Sequence, residues 1–127
     1  MTRIAVDAFG GDYAPEQIVE GALLAADKEG ITVVLTGNES RLKSLVAGRA
    51  GSNRVEIVHA PEVVQMDDEP VAAVRAKTDS SLVQGARLVR EGKADALVSA
   101  GNTGASLAAA LFNIGRIKGV ERPAIST

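Results

Sequence analysis

A chain of 127 residues suits one domain or a piece of a larger one, and its 46% apolar share is enough for a real core. Aromatics make up only 2%, so that core must be built from Ala, Val, Ile and Leu, as in parallel sheets covered by helices. The lack of cysteine excludes a disulfide scaffold, a thiolate nucleophile and a cysteine zinc site, and a formal charge of −2 argues against a dedicated nucleic-acid binder; a small anion needs only a local positive field.

Arg3 to Asp7 reads as the first strand. After the turn Ala8 to Ala14, Pro15 stands where a first helical residue is tolerated, and Ile18, Val19, Ala22, Leu23 and Ala26 recur at helical spacing. Gly30 stops that helix; Ile31 to Thr36 is a second strand, Asn38 caps a helix running to about Gly48, and Val55 to His59 is a third strand. An irregular segment, Glu62 to Thr78, carries the acidic run Asp67-Asp68-Glu69 and a short helix from Val71 to Lys77. Ser80 to Gly92 follows as an amphipathic helix, with Leu82, Val83, Ala86 and Val89 on one face. A strand around Leu97, a helix from Ala105 to Ile114 and a fifth strand opening near Pro123 complete the prediction.

Strands alternating with helices imply βαβ units, hence a doubly wound α/β fold: a mainly parallel sheet with helices on both faces. The Ala105 helix is apolar nearly all round and expects cover on more than one side, and the chain stops in what reads as the opening of a strand. The expectation is the N-terminal part of a single, longer α/β domain. The N-terminus enters a strand at once without the form of a signal peptide, and no apolar run is long enough to span a bilayer, so a cytoplasmic protein is expected.

Ligands of open parallel sheets collect outside the carboxyl ends of the strands. One such end is Ser99-Ala100-Gly101-Asn102-Thr103-Gly104. A helix start there offers unpaired N–H groups and positive dipole to an anion, with Thr103 adding a hydroxyl and Gly101 and Gly104 allowing close backbone approach. The alternative, favoured on the local string alone, is an Asn102 or Thr103 cap with glycines relieving turn strain. A second end is Asp7-Ala8-Phe9-Gly10-Gly11-Asp12, where a Gly-Gly pair between aspartates suits backbone approach; a tight turn with aspartate caps is the competing account. Thr36-Gly37-Asn38 is the third. Arg75, Lys77, Ser80 and Ser81 offer cations and hydroxyls just before a helix, a set for phosphate or a developing oxyanion, or else a capped helix beside solvated cations. The acidic run suits a magnesium ion or plain solvation, and His59, the only histidine, reads as structural. Neither a Gly-x-Ser-x-Gly elbow, a phosphate loop ending in Gly-Lys-Ser/Thr nor a Gly-x-Gly-x-x-Gly fingerprint occurs.

Together, Asp7 to Pro15, Met66 to Pro70 running into Arg75-Ala76-Lys77 and Asp79-Ser80-Ser81, and Ser99 to Ala105 resemble the N-terminal portion of the PlsX family, the acyl-carrier-protein:phosphate acyltransferases of bacterial phospholipid synthesis. The order and spacing agree over the whole chain, although the family usually has Met where Phe9 stands and often His where Tyr13 stands. A tyrosine does not replace a histidine as acid or base near neutral pH.

The resemblance implies an isocitrate/isopropylmalate-dehydrogenase-like fold, a homodimer, and transfer of a fatty acyl group from acyl carrier protein to inorganic phosphate without a cofactor or metal. Membrane contact would be peripheral and made by parts outside this chain. Phosphate falls to Gly101, Asn102, Thr103 and Gly104, backbone approach to Gly10 and Gly11, and organisation of that turn to Asp7 and Asp12. Arg75, Lys77, Ser80 and Ser81 would serve phosphate or the reacting carbonyl. The rivals are a phosphotransacetylase-like enzyme using coenzyme A thioesters, a non-catalytic phosphate-binding fragment, and a dehydrogenase of similar architecture.

Overall fold

Short β-rich apolar runs and longer stretches of helical period alternate along the chain, and the backbone follows them. In the computed structural model, residues 1–126 are described. They form β1 (Arg3–Asp7), α1 (Glu16–Glu29), β2 (Thr32–Gly37), α2 (Glu39–Val46), a short 3-10 turn, β3 (Val55–His59), α3 (Pro70–Ala76), α4 (Ser81–Arg90), β4 (Ala96–Val98) and α5 (Thr103–Asn113). The strands make one all-parallel sheet in the order β3-β2-β1-β4.

Alternation along the strands sorts the side chains to two faces. Val6, Val33 and Leu35, with Ile4 and Ile57 at their margin, pack on Val19, Leu23 and Ala26 of α1 and Leu42 of α2. The opposite face carries α4, which closes on the sheet at Gly85; a Cβ there would stand 2.6 Å from Leu97 Cδ1. Behind that contact α3, α4 and α5 share a second cluster that includes Ala73, Val74, Leu82, Val83, Ala105 and Ala109. Its many alanines let the helices approach closely. Gly104 belongs to the same packing, since a Cβ on it would meet Pro70 Cγ at 2.8 Å. Helices therefore cover both faces, as the alternation of elements required.

Caps set the helix starts. Asn38, Glu69, Ser80 and Asn102 each accept a backbone N–H from the first turn of α2, α3, α4 and α5. Pro15 occupies the N-cap of α1, one residue before the position predicted for it.

The fifth strand does not form. Residues 123–126 lie outside the sheet and are largely exposed, and Thr127 lies outside the described residues. A strand exists only where a neighbour takes its backbone hydrogen bonds, and none of the described strands pairs with this segment. β4 is thus the sheet edge among the described residues: Val98 is 52% exposed beside an open apolar cleft of about 450 Å³ that Ile4, Val6, Ile18, Ala22 and Ala25 also line. α5 is covered on one side. Its inner face is buried through Ala105, Ala108 and Ala109, while Phe112 and Ile114 are exposed.

The strand order has a consequence for ligands. From β1 the chain moves outward through β2 to β3, then crosses back over the sheet to place β4 on the other side of β1. The connections leaving β1 and β4 diverge, which makes the carboxyl ends of these two strands a topological switch point, the place where open α/β sheets bind ligands.

Candidate functional site at the sheet switch point

Two of the three predicted strand-end turns meet at that switch point. A Cβ on Gly101 would lie 3.0 Å from the Gly10 Cα, and one on Gly10 would lie 2.9 Å from Ser99 Oγ and run into the Asp7 carboxylate. Gly11 adopts φ +123° against the Ala100 carbonyl, a conformation that side chains of L-residues rarely enter. The glycines are therefore required first by the approach of one turn to the other.

Asp7, at the end of β1, is only 3% exposed. Its Oδ1 accepts the Phe9 N–H at 3.2 Å and its Oδ2 accepts the Ser99 hydroxyl at 2.9 Å. Ser99 Oγ in turn accepts the Gly101 N–H at 3.2 Å. Burial pushes the Asp7 carboxyl above its ordinary value; the hydroxyls of Ser81 and Ser99 and the N–H groups of Phe9 and Gly10 favour the anion and offset part of that rise. Ser81, 1% exposed at the start of α4, keeps its hydroxyl near this carboxyl, but the hydroxyl forms no hydrogen bond with it or with any other group among the described residues.

The start of α5 stands beside the paired turns. Asn102 Oδ1 caps the helix through the Ala105 N–H, and its Nδ2 donates to the carbonyls of Gln65, Met66 and Asp68 at 3.2, 3.4 and 3.0 Å. Its amide is consumed in holding the 65–68 loop against the helix, so its role at the site is placement. Thr103 is exposed, and the N–H groups of Thr103 and Gly104 precede the first hydrogen bonds of α5 without an internal acceptor among the described residues. Those two amides, the Thr103 hydroxyl and the positive end of the helix are what the site offers an oxyanion.

The second polar cluster disperses. Ser80 is buried and accepts the Val83 N–H as the cap of α4. Lys77 Nζ donates to the Val63 carbonyl at 2.9 Å and pairs with Asp68 at 2.6 Å, which holds the Asp68 carboxyl below the usual carboxylate range. Arg75 lies exposed on α3 with its guanidinium 5.1 Å from the Phe112 ring centre, toward the far end of α5 from the turn. Only Ser81 of this set reaches the switch point. Asp12 is exposed in the β1 turn. The acidic run is used locally: Asp68 pairs with Lys77, and Glu69 caps α3 through the Val71 and Ala72 N–H groups. His59 Nδ1 accepts the Glu39 N–H, the structural use read for it. Ser99 was not singled out as a site residue; its place immediately after a strand, at the carboxyl end, is the signal that could have found it.

The order of the strands, the crossing back to β4 and the helix start beside the paired turns define a doubly wound α/β protein with a candidate oxyanion site at its switch point. Residues 2–127 match the sequence model of the family described as "Fatty acid synthesis protein", and the chain belongs to that family. This agrees with the PlsX resemblance of the glycine turns. It is 54% identical over 124 residues to a protein named phosphate acyltransferase from Pelotomaculum thermopropionicum, covering 98% of this chain and 36% of the relative. Phosphate acyltransferases of Desulfitobacterium hafniense strain Y51 (55% over 127 residues, 100% of this chain and 38% of the relative) and Streptococcus equi subsp. equi (52% over 126, 98% and 37%) are similar in the same way. The chain thus spans little more than a third of the length of these relatives. No helix among the described residues is long and apolar enough to cross a membrane.

Proposed function

We propose that this chain supplies the phosphate-binding part of an acyltransferase that moves a fatty acyl group from acyl carrier protein to inorganic phosphate, giving acyl phosphate for phospholipid synthesis. The apposition of the two glycine turns beside the open start of α5 carries the reading, and the relatives' shared name supports it. Phosphate oxygens accept the Thr103 and Gly104 N–H groups and the Thr103 hydroxyl, while a remaining oxygen faces the thioester carbon. That oxygen adds to the carbonyl, the carbon–sulfur bond breaks, and the sulfur leaves as thiolate. An ordinary thiol has a pKa of about 8.5, so the leaving group requires little protonation and no histidine acid is needed. Positioning then provides much of the acceleration, because a bound nucleophile held in line has a far higher effective concentration than one in solution.

Asp7 works here by organising the turns. The homodimer, the cytoplasmic location and the peripheral membrane contact are part of the same proposal; the homodimer and the membrane contact rest on the family resemblance.

The test is loss of thioester from acyl carrier protein by the full-length protein, followed with and without phosphate. Phosphate-dependent loss yielding acyl phosphate is expected, with acyl-coenzyme A a much poorer donor. Equal or better use of the coenzyme A thioester would replace the carrier-protein reading by the phosphotransacetylase-like one. Phosphate binding without turnover would reduce the site to a binding module.

A further inference from the structure

β4 pairs with β1 over only three residue pairs, the last being Val6 with Val98. The next positions in that register are Asp7 and Ser99, and there the side chains take over the link. The Phe9 N–H donates to Asp7 Oδ1, the Ser99 hydroxyl donates to Asp7 Oδ2, and the Gly101 N–H donates to Ser99 Oγ. Two side chains thus bridge a backbone amide of one glycine turn to a backbone amide of the other, across the switch point. Gly10 leaves the room this bridge needs, since its missing Cβ would occupy the position of the Asp7 carboxylate.

We infer that Ser99, held by Asp7, is a positioning residue that fixes the β4 turn against the β1 turn and so aims the amides at the start of α5. The inference rests on the phosphate reading above and assigns the part of the molecule that sets phosphate affinity. Ser99 is four residues before Thr103, and β4 is a short strand whose one strand partner among the described residues is β1. Asn102 fixes the far side of the turn to the 65–68 loop; the bridge through Ser99 fixes the near side. With the near side released, the helix stays capped while the turn loses its register with β1. The loss falls on phosphate, leaving the acyl donor unaffected.

The test uses Ser99→Ala, Asp7→Asn and the double variant in the full-length protein. Removing a half-buried hydrogen bond of this kind is expected to raise the KM for phosphate about tenfold in Ser99→Ala, with the KM for the acyl donor within about twofold of wild type. Because the two side chains form one bridge, the double variant should be little worse than the worse single variant. An unchanged phosphate KM, equal rises in both KM values, or fully additive losses would overturn the inference. Amide hydrogen exchange gives a readout that needs no turnover: the Gly101 N–H should exchange about tenfold faster in Ser99→Ala, with core amides of β1 and β2 unaltered. Faster Gly101 exchange in a protein that shows no phosphate-dependent chemistry would keep the bridge and discard the phosphate reading. Unaltered Gly101 exchange discards the bridge whatever the activity.

Discussion

The switch-point turns and the Arg75–Ser81 segment look equally suited to an anion in the sequence, one rich in glycine and the other in cations and hydroxyls, yet the fold uses them in opposite ways. In the second region nearly every donor is committed. Ser80 caps α4, Lys77 neutralises Asp68 and holds the Val63 carbonyl, and Arg75 covers an aromatic ring. In the first, the side chains serve the backbone: Asp7, Ser99 and Asn102 satisfy one another or hold neighbouring loops, and the main-chain amides of Thr103 and Gly104 stay open. Side chains with many donors are attractive partners for a protein's own carbonyls and carboxylates. Glycine-rich backbone is left over because it has no side chain through which to be absorbed.

The sharpest way to break this contrast is Gly10→Ala. Its new Cβ falls on the Asp7 carboxylate and lies 2.9 Å from Ser99 Oγ, so the two turns must part. Overpacking of this kind costs about 1–3 kcal/mol, and a displacement near 1 Å at a reacting centre lowers turnover about 100-fold. Urea unfolding and steady-state assay of the full-length protein would show both, and wild-type turnover in this variant would refute the apposed turns as the site. Ser80→Ala should separate the regions from the other side. Loss of the α4 cap is expected to cost about 1 kcal/mol in unfolding experiments while leaving the phosphate KM within about twofold. A large rise in that KM would return Ser80 to the site.

A smaller effect follows from the buried carboxyl. The native state holds the Asp7 proton more tightly than the unfolded chain does, because burial raises the carboxyl above its ordinary value. Between those two values the unfolded state carries fewer protons, so stability falls as pH rises. The contribution is fully present below the unfolded carboxylate range and lost as pH passes through the raised Asp7 value. Comparing unfolding free energy against pH in wild type and Asp7→Asn should show that slope disappear in the variant; identical profiles would contradict a buried, raised carboxyl.

The smallest effect belongs to the half-buried pair of Lys77 and Asp68. In Lys77→Gln, the Asp68 carboxyl should titrate at higher pH than in wild type, since Lys77 is the main cause of its lowered value. The stabilisation from that pair is present above the unfolded Asp value and lost as pH falls through the lowered one. Carboxyl chemical shifts followed with pH would read the change, and the phosphate KM should stay put. An unshifted Asp68 titration would remove Lys77 from the loop's support.

Much of this was legible before any coordinates. Val6, Leu35 and Ile57 fall in short apolar runs bounded by turn residues, the pattern of strands, and Val19, Leu23 and Ala26 repeat at the spacing of one helix face. Asn38 as a cap was readable because short polar side chains at helix starts have few other uses. The misses have a common cause. Pro123 begins a segment with strand composition, but strand formation depends on a neighbour that local sequence does not name. Lys77 and Ser80 were assigned to a ligand because their residue types allow it, whereas Asp68 and the Val83 amide compete for them only once the chain has folded.

The alternation of apolar runs, the turn glycines and the caps were thus determined by the sequence, because each depends on interactions within a few residues. The strand order, and with it the meeting of Gly10 with Gly101 and of Asp7 with Ser99, was decided by tertiary structure. Those pairs stand 91 and 92 positions apart in the chain. Nothing local distinguishes a crossing back to the far side of β1 from one more strand added beyond β3; the choice belongs to the packing of α4 and α5 on the sheet's second face.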